Sequence, residues 1–293
     1  MAKGNTIRYT DYFEIKGDVP FEDLDAYNDN KMYLDPHLIR SAPESDSYCS
    51  LAKTELRTFL DCLSEKVLHE DETGRELLTH LNEPPETRLG MSRTGSYGHA
   101  ADSKLGSAIW KAMCEDLAAL WRLGIIHHFE DLPIFIKGIG NDITSDITTR
   151  IVYDALAKFT ENCMEQFPEL RAKDMKLVHK HIWDPSSRKW VEQTYQLPAI
   201  GNIPVILIPQ GWADVRLLGL SERFFSKSVL DYRIEQSGYP KPNKKQLRRK
   251  LSGNHCRYNI DVAIEAKESD ACRDLVKEFW RYVDDRRAEE MAK

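Results

Sequence analysis

Apolar positions recur at helical spacing in several long stretches of the chain and gather into short unbroken runs between them. Leu56, Leu60, Leu63 and Val67 predict a helix within 51–68. Ile109, Met113, Leu117 and Leu120 predict a second helix, with Gly124 as its stop signal. A third stripe, Ile147, Ile151, Ala155, Phe159 and Cys163, runs to about Phe167. From Leu217 the pattern is helical again with an aromatic face (Phe224, Phe225, Tyr232); Gly238 to Pro242 breaks it, and a last helix is expected from about Ile260 to Arg287. Of the short runs, Tyr33–Ile39 is broken by Asp35-Pro36 and reads as a short strand ending at a turn, while Pro133–Lys137 and Ile203–Ile208 read as strands. Leu177–Trp183 and Lys189–Thr194 flank Asp184-Pro-Ser-Ser and predict a hairpin.

This order lacks regular βαβ alternation and predicts an α+β fold, mostly helical, with a small mixed or antiparallel sheet. The expected organisation is an N-terminal α/β region over 1–170 and a hairpin region followed by helices over 171–293, packed as one globular unit. Hydrophobic residues at 41% and charged residues at 30% argue against wholesale disorder. The absence of any apolar run near ~18 residues argues against a membrane helix. With no apolar N-terminal leader visible, a cytoplasmic location is expected. The six cysteines are scattered singly, a spacing that suits reduced thiols rather than a zinc or disulfide framework.

Charge is uneven. Seven Lys or Arg and no acid lie between Lys241 and Arg257, and removing those seven from a net charge of −6 leaves −13 on the rest. Lys244, Lys245, Arg248 and Arg249 are therefore candidate contacts to nucleic-acid phosphates, against the commoner meaning of a solvated helix face.

The strongest candidate chemistry is the stretch Gly138-Ile-Gly140-Asn-Asp142-Ile-Thr-Ser145-Asp146. Gly138 and Gly140 permit positive φ or close approach, and the two aspartates fall four apart on one helical face. Such a pair suits Mg²⁺ or Mn²⁺, with water and phosphate oxygens completing the shell. Helix capping by Asp142 and a favourable dipole at Asp146 are the competing explanation. A glycine-rich loop from Gly90 to Gly106 carries Ser92 and Lys104 and offers backbone N–H groups for a phosphate. Glu86, just ahead of it, is the expected third acid. On this view Glu86, Asp142 and Asp146 are catalytic, and Ser92, Lys104, Gly138, Gly140 and Ser145 hold substrate. Glu265-Ala-Lys267, with Asp231 at a distance, fits a nuclease signature if 260–267 is a strand; the helical period covers more residues.

The succession Tyr33-Leu-Asp-Pro-His-Leu, Glu86-x-x-Leu-Gly-x-Ser, Gly138-Ile-Gly-Asn-Asp-Ile-Thr-Ser-Asp-Ile-Thr-Thr and Leu197-Pro…Ile203-Pro-Val-Ile-Leu-Ile-Pro209 resembles a family of bacterial proteins found with mobile elements and antiphage-defence neighbourhoods. The resemblance implies a defence setting and supplies no activity. The leading expectation is a defence protein whose divalent-metal site acts on a phosphodiester or nucleotide, a metal-dependent nuclease or phosphohydrolase. The competing one is a non-catalytic sensor or scaffold binding a partner protein of a defence operon or a phage component.

Overall fold

The predicted hairpin forms over ten residue pairs, from Met175 opposite Pro198 to Asp184 opposite Lys189. Its turn is set by Asp184, whose carboxylate accepts from the Ser186 and Ser187 amides at 3.0 and 3.1 Å, while Arg188 takes φ +53°. The strand Ile203–Pro204 adds to Lys189–Ile200, and a separate pair joins Tyr33–Leu34 to Ala213–Asp214; both sheets are antiparallel. Helix dominates the remainder, so the chain is α+β. The computed structural model describes residues 6–44, 46–81, 84–90, 99–237, 243–251 and 255–291, the side chains of 99–104 and 291 excepted.

The chain forms two compact units that interleave in sequence: 1–62, 75–106 and 141–216 make the first, 63–74, 107–140 and 217–293 the second. The hairpin shares the first unit with the helices Asn141–Ile151 and Tyr153–Gln166.

In the first unit the core is built from Leu34, Phe59, Ile151, Tyr153, Leu156, Phe159, Trp183 and Leu207, each at most 1% exposed. The predicted single helix from Ile147 to Phe167 is two, separated at Val152. Thr148 and Thr149 donate their hydroxyls to the carbonyls of Thr144 and Ser145 at 2.7 and 2.8 Å, back-bonding of the kind that bends helices. Other buried hydroxyls accept from backbone amides: Ser145 Oγ from Leu34 N at 2.9 Å, and Thr160 Oγ1 from Leu207 N at 3.0 Å. Ile203–Ile208 is a strand only at its first two residues, and this bond holds part of the rest.

In the second unit Phe135, Phe224 and Phe279 pack edge-on, with centroids 5.8 and 5.3 Å apart along that series. Asn259 ties three segments together, donating to Ile134 O at 2.8 Å and to Ser221 O at 3.1 Å. Asp131 accepts from His127 N, His128 N and Trp280 Nε1, at 2.7, 2.8 and 2.6 Å. One sequence expectation is corrected here and one is met. Pro133–Lys137 is not a strand: Leu132–Phe135 is a helical turn with the proline in its first turn, where a missing N–H costs nothing. A run buried on every side carries no period to separate strand from helix. The helical period expected over 260–267 is present: these residues lie within the helix His255–Glu268, which removes the strand that the alternative Glu265/Lys267 nuclease reading requires.

Candidate functional site

Asp142 and Asp146 do lie on one face of the Asn141–Ile151 helix, the first exposed and the second half-buried. Gly90 takes φ +96°, its amide directed at the carbonyls of Asn30 and Met32, both at 3.0 Å. A Cβ on Gly90 would stand 3.6 Å from Asp142 Oδ1, so the start of the glycine loop does reach the first aspartate. Tyr33 borders the same place, its hydroxyl pushed up by burial and by the Asp142 charge. Gly138 takes φ +88° with open space around it, so glycine is needed there for backbone conformation and not for close approach. Ser92 and the rest of 91–98 fall outside the described residues, as does the side chain of Lys104.

Two members of the expected site are engaged elsewhere. Ser145 is buried and its hydroxyl is taken by Leu34 N, a structural bond rather than a substrate contact. Glu86 does not join the aspartates. It sits in the turn Pro85–Thr87, 3% exposed, and its Oε1 pairs with Lys180 Nζ at 2.6 Å. Arg150, also close to Glu86, is two helical turns beyond Asp142, about 12 Å along the axis. Among the described residues no three His, Cys, Asp or Glu side chains gather as a metal site.

What gathers around Glu86 is a mostly buried charged and aromatic cluster. Arg150 donates Nε to His80 O at 2.7 Å and lies 5.7 Å from the ring centroids of both Tyr153 and Trp190. Lys180 Nζ lies at 5.7 Å over the Tyr153 ring. His80 stacks on the exposed His181 at 5.0 Å and neighbours Trp190 at 5.3 Å, while Trp190 Nε1 donates to Leu77 O at 3.0 Å. Burial pushes the Tyr153 hydroxyl far up, and Glu86 adds to the shift. Burial lowers the Arg150 guanidinium and also His80, which His181 and Arg150 lower further. Three buried atoms of the cluster have no hydrogen-bond partner: Glu86 Oε2, Arg150 Nη1 and Tyr153 Oη. Buried polar atoms are rarely left this way, and one charged group among them costs more than a neutral one.

The sequence carried a signal for one of these residues. In the strand Met175–Asp184, Val178, Lys180 and Ile182 share a face, which places a lysine among buried apolar neighbours. Arg150 gave no such sign, since a single arginine in an amphipathic helix reads as solvated.

Next to Tyr153, Asp154 accepts from Tyr195 Oη at 2.7 Å and pairs with Lys158 at 2.7 Å. Glu55 lies close by, completely buried and without a hydrogen bond of normal geometry. Burial holds its carboxyl well above the ordinary 4.5, Asp154 raises it further, and Lys158 and the Ala155 amide offset part of this. A folded-state value raised above the unfolded one stabilises the fold below the ordinary range, and that contribution is lost as pH rises through the folded-state value. Urea unfolding from pH 5 to pH 8 should therefore show a decline attributable to Glu55, flattened in Glu55→Gln. Parallel profiles for the two proteins would contradict this.

The remaining candidates lie in the second unit. Glu265 pairs with Arg233 at 2.7 Å, Lys267 with Asp274 at 3.4 Å, and Asp231 with Lys244. Each member of the presumed nuclease triad thus has its own partner. Lys244, Lys245, Arg248 and Arg249 lie on the helix Lys244–Leu251, which buries no residue.

A family described as a domain of unknown function, DUF8370, matches residues 14–216, more than two thirds of the chain. The chain belongs to the DUF8370 family. The DUF8370 segment includes Glu86, Arg150, Tyr153, Lys180 and both aspartates, and excludes the basic helix. No curated protein and no solved structure matches the chain significantly. No helix among the described residues is long and apolar enough to cross a membrane.

Proposed function

We propose that the first unit of this DUF8370 protein binds a phosphodiester, free or within a nucleotide, at the Glu86–Arg150–Tyr153–Lys180 cluster, in the defence setting that the resemblance implies. The observation that carries this is the group of three buried unpartnered atoms around the Lys180–Glu86 pair. Two cations against one carboxylate leave a single positive charge, and a phosphodiester brings a single negative one. A guanidinium with a free Nη1 suits phosphate oxygens, and a tyrosine held in its protonated form can donate to another. Glu86 Oε2 remains to accept from a ligand hydroxyl. The exposed His181, stacked on His80 beside Trp190, offers a ring face for a base.

The test is calorimetric titration of the whole protein with a dinucleoside monophosphate. The wild type should bind, and Tyr153→Phe should bind about tenfold more weakly, the worth of one hydrogen bond to a charged group. Since Tyr153 Oη has no partner to lose, the variant should be at least as stable in urea. Absence of heat with the wild type, or equal affinity in the variant, rejects the reading.

A second reading keeps Mg²⁺ or Mn²⁺ on Asp142 and Asp146, supported by the approach of Gly90 to Asp142. It requires Mn²⁺ heats that disappear in Asp142→Ala and Asp146→Ala, and heats unchanged in both end it.

A further inference from the structure

Beyond the DUF8370 segment, the second unit carries a charged surface that the binding site above does not use. The helix Lys244–Leu251 buries none of its residues. At 100° per residue, Lys244, Lys245, Arg248 and Arg249 fall within a sector of about 140°, while Leu247 and Leu251 lie outside it. The i, i+4 pairs Lys244/Arg248 and Lys245/Arg249 stand about 5–6 Å apart, so the four make a two-by-two array of cations. Lys244 is ion-paired to Asp231 of the helix Leu230–Gln236, which fastens the array at its first residue. Seven cations without an acid lie between 241 and 257, on a chain otherwise at −13. A polyanion is repelled by most of such a surface and drawn to this part of it.

We propose that the Lys244–Leu251 helix is a docking surface for the phosphate backbone of duplex DNA. The chemistry of the helix favours this occupant over others. Two leucines are too little apolar area to embed in a bilayer, where an interfacial helix needs a broad apolar face. The helix has no aromatic residue on which single-stranded bases would stack. An unburied α-helix fits the wide major groove of B-form DNA, whereas the A-form RNA groove is too narrow to receive it. The inference does not depend on the unit 1 site and concerns a different part of the chain.

Fluorescence anisotropy of a labelled 30-base-pair duplex of arbitrary sequence, titrated with the full chain across a salt series, tests it. The wild type should bind, with log affinity falling linearly in log salt. Lys245→Ala combined with Arg248→Ala should weaken binding at 50 mM salt about tenfold and make the slope shallower by about 0.9 for each lost contact. Both side chains are exposed, so the melting temperature should not move. The double variant should keep the wild-type affinity for the dinucleoside monophosphate, and Tyr153→Phe should keep the wild-type affinity for duplex. Failure of one site is thereby read separately from failure of the other. No duplex binding by the wild type, equal affinity and slope in the double variant, or tighter binding to a single strand or to phosphatidylserine vesicles overturns the proposal.

Discussion

Replacing Lys180 by methionine should lower the unfolding free energy by about 3 kcal/mol, the lower end of what breaking a buried ion pair costs. The lower end applies because the lysine side chain keeps 23% of its exposure while Glu86 keeps 4%. Most of the loss comes from the carboxylate left behind: with Lys180 gone, neither Glu86 oxygen has a hydrogen-bond partner. Glu86→Gln in the Lys180→Met background should recover most of the stability by removing the stranded charge. Urea melts of the two single variants and the double variant make the cycle. If Lys180→Met alone unfolds within 1 kcal/mol of the wild type, the pair is solvated and the account of the cluster fails.

Trp183→Ala should cost about 4 kcal/mol, in the range for truncating a large buried aromatic. The ring has no exposure, donates Nε1 to Thr58 Oγ1 at 3.0 Å, and packs edge-on against Phe59 at 5.0 Å and Trp190 at 5.8 Å. Trp183→Phe should lose the hydrogen bond and part of the volume, for about 2 kcal/mol. Trp190 packs on Trp183 and also lies 5.7 Å from the Arg150 guanidinium. The alanine variant should therefore bind the dinucleoside monophosphate more weakly even where it remains folded, at low temperature and without urea. A variant as stable as the wild type would show that the hairpin end is loosely packed.

Local signals were legible where one chain segment settles its own structure. Leu56, Leu60, Leu63 and Val67 are buried on the helix Ser47–Leu68, and Asp184 nucleates the hairpin turn that its neighbours suggest. Pro133–Lys137 was not legible, because a run with every residue but the lysine buried shows no face. The site was half-legible for a related reason. The approach of Gly90 to Asp142 follows the expected pairing of the glycine loop with the aspartate helix. Glu86 is four residues before Gly90, and nothing local tells that it turns to Arg150 and Lys180, 64 and 94 residues further on. A carboxylate's partner is chosen by tertiary packing, and acidic residues close in sequence to a presumed metal site are the easiest to misplace.

The interleaving of the two units has a consequence for what can be cut from this chain. Residues 63–74 and 107–140 belong to the second unit but lie inside the DUF8370 segment, and the rest of that unit begins at 217. A polypeptide ended at 216 would keep Ile134 and Phe135 while discarding Asn259, which donates to Ile134 O, and Phe224, which packs on Phe135. Such a fragment carries an orphaned apolar turn as a sticky end and invites aggregation or chaperone capture. The stretch marked out by homology therefore stops short of what the second unit needs to bury its own apolar turn.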